Sequence, residues 1–250
     1  RSVIAGSWYP GHPGPLRATV DSYLQHADKV ALEGKPLGLI APHAGYMYSG
    51  QVAAYAYKQV EGLEYDRVVV ISPVHRMYTG RFAVTDHDYY ETPLGLIEID
   101  TELVEALRLQ VDLNLVRQDN EHSLEIQLPF VQRLLPAAKL LPIMMGAQDI
   151  AACKALGRAV AQVVEGMNVL LVASTDLSHF HPQRRATVLD QVFLNDVEAY
   201  DPDRLAKHLA TGETEACGGG PVIAVMLAAQ RLGANRARIL KYATSGDVSG

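Results

Sequence analysis

The chain has 250 residues, 48% hydrophobic and 20% charged, an ordinary globular composition with ample length to bury a core. Its net charge of −6, with acidic and basic residues interspersed, gives no basic footprint for a phosphate backbone, so nucleic acid is not an expected partner. No apolar run approaches the roughly 20 residues of a membrane-spanning helix, and no charged segment followed by a long apolar stretch opens the chain, so a soluble cytoplasmic protein is expected. Cys153 and Cys217 sit in unlike contexts, which argues against a disulfide framework and fits a reducing compartment. No linker, charge block or repeat marks a boundary, and one domain is the simplest count.

Tyr9 to Pro15 is a rigid, turn-rich stretch. Leu37 to Ala41 reads as a short buried strand and Gln51 to Val60 as the helix behind it, with His43 in the joining loop. Arg67 to Ser72 holds the run Val68-Val69-Val70-Ile71 expected of a strand covered on both faces, and His75 lies just beyond it. Arg81 to Thr85 and the alternating Leu96-Ile97-Glu98-Ile99 look like strands of a hairpin-like insertion, with Asp100 or Thr101 capping the next helix. Ser123 to Leu135 carries apolar residues at helical spacing, and Pro136 ends it. Lys139 to Met145 is a further strand, Asp149 to Glu165 an amphipathic helix, and Asn168 to Ser174 a third apolar strand followed directly by Asp176 and His179. Helices are expected over Arg184 to Tyr200 and Pro202 to Leu209. A glycine-rich turn at Gly218-Gly219-Gly220 then leads to Pro221 at a first helical position, and Arg238 to Tyr242 closes the sheet. The fold class is α/β, with a mixed, mostly parallel sheet flanked by helices.

Chemistry-bearing side chains recur at the ends of these apolar stretches. Parallel strands would bring the loops that hold His43, His75 and Asp176 to one edge of the sheet, where open α/β sheets bind ligands. Pro42 and Gly45 restrict the His43 loop, and Ser72-Pro73 gives His75 an equally rigid approach, which suits paired metal ligands; the alternatives are a loop histidine bonded to backbone at His43 and a satisfied polar surface residue at His75. Cys217 precedes three glycines and a helix start, where the positive helix end would lower the thiol pKa; the glycine run could instead bind phosphate, although it lacks P-loop spacing and lysine. Cys153 reads as an inert helical thiol. Asp176 and His179, three apart, could form a proton-transfer unit, against which stands plain helix capping by Asp176 with His179 and His181 in water. Glu121, His122 and Glu125 cluster at a helix start, where capping accounts for Glu125 but not for His122, which reads as neutral and hydrogen-bonding or substrate-facing. His12, His26, His87 and His208 read as structural or surface residues. Tyr46, Tyr48, Tyr89 and Tyr90 could line an aromatic pocket or pack in the core.

Five segments together resemble the Memo family, known in prokaryotes as AmmeMemoRadiSam system protein B. They are Ala5-Gly6-Ser7-Trp8-Tyr9-Pro10, Ala41-Pro42-His43-Ala44-Gly45-Tyr46, Glu121-His122-Ser123-Leu124-Glu125, Ser174-Thr175-Asp176-Leu177-Ser178-His179 and Cys217-Gly218 through Pro221. The resemblance runs nearly end to end and implies a single domain over 1–250, a fold similar to LigB-like class III extradiol dioxygenases, and a short last strand beyond Ser245-Gly246-Asp247 that this chain lacks. It places the family's metal ligands on His43, His75 and Cys217, the dioxygenases' catalytic base on His179, a further pocket histidine on His122, and Asp176 beside the metal. Iron(II) is the cofactor implied, and a thiolate in place of the dioxygenases' carboxylate also admits copper or zinc. The family name implies partners of AMMECR type and of radical S-adenosylmethionine type.

The reading that follows is an iron(II) protein acting oxidatively on an unknown small molecule, with His179, His122 and Asp176 handling protons. The alternatives are a noncatalytic adaptor binding a peptide or phosphorylated ligand in the same cleft, and a zinc hydrolase.

Overall fold

The computed structural model describes residues 1–76 and 80–249. In chain order the elements are α1 (Pro13–Gln25), β1 (Gly38–Ala41), α2 (Tyr46–Lys58), β2 (Arg67–Pro73), β3 (Phe82–Thr85), β4 (Tyr89–Thr92), β5 (Gly95–Glu98), α3 (Thr101–Arg108) and β6 (Leu113–Val116). They continue with α4 (His122–Glu125), α5 (Leu128–Leu134), β7 (Lys139–Met145), α6 (Ile150–Val163), β8 (Val169–Ser174), α7 (Gln183–Glu198), α8 (Pro202–Thr211), α9 (Gly219–Arg231) and α10 (Gly246–Ser249). The main sheet has six strands in the order β1-β8-β2-β7-β3-β6. Four of its five pairings are parallel, and β3 meets β7 antiparallel. The mixed sheet expected from the sequence is therefore present.

The unbroken apolar runs of β2 and β8 follow from cover on both faces. On one face Val69, Ile71, Leu171 and Ala173 pack with α6 and α9 through Leu156, Val160, Val222 and Val225. On the other, Val68, Val70, Leu170 and Val172 pack with Leu16, Val20, Ala54, Tyr57 and Phe130 of α1, α2 and α5. The α6–α9 crossing is close because Gly157 has no side chain: a Cβ there would lie 2.9 Å from both Ala224 O and Leu227 Cβ.

Several local expectations are corrected. The segment 123–135 is two helices, because Pro129 has no N–H to donate to the Glu125 carbonyl and α5 restarts with that proline in its first turn. α2 begins at Tyr46, ahead of the expected Gln51, since its first N–H is accepted by Trp8 O at 2.8 Å, a partner invisible to helical periodicity. β3 joins the main sheet, and the separate hairpin is β4–β5. α9 starts at Gly219, two residues before Pro221. Residues 238–242 form no strand; Tyr242 Oη donates to Asp190 Oδ2 at 2.7 Å and Lys241 lies over the Tyr55 ring, so side chains hold this segment where a sheet ladder was expected. α1 and β6 were not anticipated. Among the described residues no helix is long and apolar enough to cross a membrane.

Gly157→Val should force α6 and α9 apart and cost about 3 kcal/mol. Urea unfolding of the variant beside the native chain checks this; an unchanged midpoint would contradict the close-crossing account.

Candidate metal centre

The parallel register sets Ala41 of β1 beside Ser174 of β8, and Ile71 of β2 beside Ala173. The three chains therefore leave the sheet together, and the loops carrying His43, His75 and Asp176 emerge at one edge. α4 delivers His122 to the same place. Ring centroids of His43, His75 and His122 are 4.8 to 5.6 Å apart, and one ring nitrogen from each falls within 4.8 Å of the others.

Each ring is held from behind. His43 is buried, with Nδ1 3.0 Å from Ser174 Oγ and Nε2 3.1 Å from Cys217 Sγ. Its backbone N–H donates to Asp176 Oδ1 at 2.7 Å, with Ala44 N adding a second bond at 3.3 Å. Glu121, wholly buried, accepts His75 N at 2.6 Å on Oε2 and faces His75 Nδ1 at 3.1 Å with Oε1. The same Oε1 lies 3.0 Å from His122 Nδ1, but out of line for a hydrogen bond, which leaves that buried nitrogen without an aligned partner. Trp8 closes the far side, its ring 4.4 Å from that of His122.

The N-terminal segment that carries Trp8 is tied down by Glu125. This carboxylate accepts Val3 N at 2.8 Å and the hydroxyls of Ser2 and Tyr9, each at 2.5 Å. The expectation that Glu125 caps its helix is therefore corrected: Glu121 is the N-cap, accepting Ser123 N, and Glu125 anchors residues 2–9.

Electrostatics separate these groups. Burial holds the His43 pKa down at about 4, against the opposing pull of Asp176, so the ring is neutral near pH 7. Burial alone would raise the Glu121 carboxyl, but the His122 nitrogen 3.0 Å away and the side-chain and backbone N–H groups of His75 outweigh it and keep that pKa well below the usual range. Cys217 behaves opposite to expectation. Burial and then the Asp176 charge push its thiol up to about 12, overriding the bonds from backbone and Thr175 that favour thiolate. Cys153 is buried and its thiol is likewise raised, as an inert residue should be.

Of the residues singled out from sequence, His43, His75 and His122 meet, and Cys217 and Asp176 touch His43, with Asp176 Oδ2 3.9 Å from Nε2. His179 stands apart, exposed, with its ring 5.9 Å from Phe180. The expected Asp176–His179 unit is not formed, because Asp176 is turned toward the His43 loop. Glu121, Ser174 and Trp8 were missed as site residues, although each lies inside a segment quoted above. The Cys217 turn is fixed by Gln148, whose amide donates to Cys217 O and accepts from Gly220 N, both at 2.8 Å. Gly218 is obligatory there, since a Cβ would fall 2.2 Å from Ser174 O.

The donor set fits a divalent metal. His43 and His75 turn their Nδ1 atoms to Ser174 and Glu121, which orients both rings with Nε2 available. His122 brings a ring nitrogen within 4.8 Å of those of His43 and His75, and burial keeps His43 unprotonated.

The fold and this histidine cluster define an α/β protein with a candidate three-imidazole metal site. Residues 1–250 match the family model described as Memo-like protein, and the chain belongs to that family. A MEMO1 family protein of Methanocaldococcus jannaschii is 36% identical over 267 residues, covering 99% of this chain and 93% of its own. One from Nitrosopumilus maritimus is 32% identical, with 100% and 94% covered, and one from Methanosarcina mazei is 36% identical, with 99% and 92% covered.

His43 also sets a pH dependence. With a folded pKa of about 4 against 6.5 for a free imidazole, the unfolded chain binds the extra proton between those values. The stabilisation is complete above 6.5 and falls by up to about 3 kcal/mol as pH drops to 4. Urea titrations of chelator-treated protein across this range should show a steeper loss for the native chain than for His43→Gln; parallel curves would sink the assignment.

Proposed function

We propose that this Memo family protein holds iron(II) on His43, His75 and His122, with Cys217 against His43, and acts oxidatively on a small electron-rich substrate. The observation that carries the reading is the set of three converging imidazole nitrogens, two of whose rings rest on Ser174 and Glu121. Iron(II) so held would supply oxygen activation and a Lewis-acidic site for the substrate.

The chain's own groups would do the rest. Trp8 stands over His122 and limits water on that side. The Asp176 side chain is partly exposed, with Oδ2 3.9 Å from His43 Nε2, where a carboxylate can accept a proton from a substrate hydroxyl. His179, exposed on the loop after Asp176 and not bonded to it, would serve as the base on the solvent side of the site. Cys217 stays a neutral thiol until a metal displaces its proton, so metal uptake should release acid. Partners of AMMECR type and of radical S-adenosylmethionine type belong to the same reading.

A zinc hydrolase is the second reading, favoured by the nitrogen-only character of the cluster, which also suits zinc-activated water. Elemental analysis of untagged protein purified without oxygen distinguishes them. About one iron per chain, lost in His75→Ala and His122→Ala, is the expected result. One zinc per chain would favour hydrolysis, and no stoichiometric metal would favour an adaptor that binds a peptide in the cleft.

A further inference from the structure

The hydrogen bonds behind His43 form a chain in which every proton has one available position. The Gln127 amide is oriented by Pro42 O, a carbonyl that can only accept, 3.0 Å from Nε2. Oε1 of Gln127 therefore accepts from Tyr57 Oη at 3.0 Å, and the second Nε2 proton goes to Ser174 Oγ at 2.9 Å. Ser174 has a single proton, and Ser123 O, again acceptor-only, takes it at 2.6 Å. With its donor committed and one lone pair filled by Gln127, Ser174 Oγ can meet His43 Nδ1 only as an acceptor, at 3.0 Å. Gln127 and Ser174 are both about fully buried, so water does not compete for these positions.

We infer that Ser174, oriented by Gln127, is a positioning residue that fixes His43 as the Nδ1–H tautomer and presents Nε2 as a lone pair toward His75, His122 and Cys217. The Cys217 thiol, 3.1 Å away, then donates to that lone pair in the metal-free protein, the nearer of its two acceptors, with Asp176 O at 3.6 Å. Any metal the cluster takes replaces this one hydrogen and needs no tautomer change. The tautomer follows from the hydrogen bonds alone; its consequence for metal rests on the function proposed above.

Long-range 1H–15N correlation spectra of metal-free protein labelled at histidine nitrogens test the tautomer directly, with the His43 signal assigned by its loss in His43→Gln. Native protein should show Nδ1 protonated and Nε2 bare. Ser174→Ala and, independently, Gln127→Met should give a mixed or Nε2–H ring, with cobalt(II) binding, followed by its visible absorption, weakened about 10- to 100-fold. If Ser174→Ala fails to fold, Gln127→Met, which keeps the hydroxyl and the volume, carries the test. A native His43 protonated at Nε2 would overturn the inference, and so would a folded variant that keeps the native tautomer and cobalt affinity. The correct tautomer in a native protein that binds no metal would uphold it and sink the metal reading instead.

Discussion

Everything at this site depends on the in-register parallel pairing of β1, β8 and β2. Because Ala41 and Ser174 are partners and Ile71 and Ala173 are partners, three separate crossovers end at the same level. Slipping one strand by a single residue would move its loop and turn Ser174 away from His43. The apolar faces of those strands, buried under α6 and α9 on one side and α1, α2 and α5 on the other, are what hold the register.

Above the sheet, three buried or half-buried carboxylates organise the loops. Asp176 receives the backbone of His43 and Ala44, Glu121 that of His75, and Glu125 that of Val3 with the Ser2 and Tyr9 hydroxyls. An ionised carboxylate only accepts, so each is matched to N–H and O–H groups that would otherwise be buried without partners. Each contact spans a long stretch of sequence, and together they bring the first residues of the chain, through Trp8, against a histidine more than a hundred positions later.

The two nonionised groups at the centre owe their state to the same burial. His43 is held neutral and Cys217 is held as a thiol, so neither adds charge to the metal-free site. Taking up a cation there displaces the thiol proton but requires none to leave His43.

The strands β1, β2, β7 and β8, the mixed sheet and the edge that gathers His43, His75 and Asp176 were legible in the sequence, because a strand buried on both faces writes itself as a continuous apolar run such as Val68 to Ile71. The cap of α3, expected at Asp100 or Thr101, falls on Asp100, a local signal because the carboxylate accepts from an N–H three residues on. The Memo resemblance named His122 and Cys217 as site residues without their mutual geometry. Tertiary structure alone decided that His122 completes the imidazole cluster, that Glu125 anchors the N-terminal segment rather than its own helix, that Asp176 serves His43 and not His179, and that burial outweighs the helix end at Cys217. Each of these is settled by a partner distant in sequence, and hydrogen-bond direction and desolvation depend on the full three-dimensional neighbourhood, which no local spacing encodes.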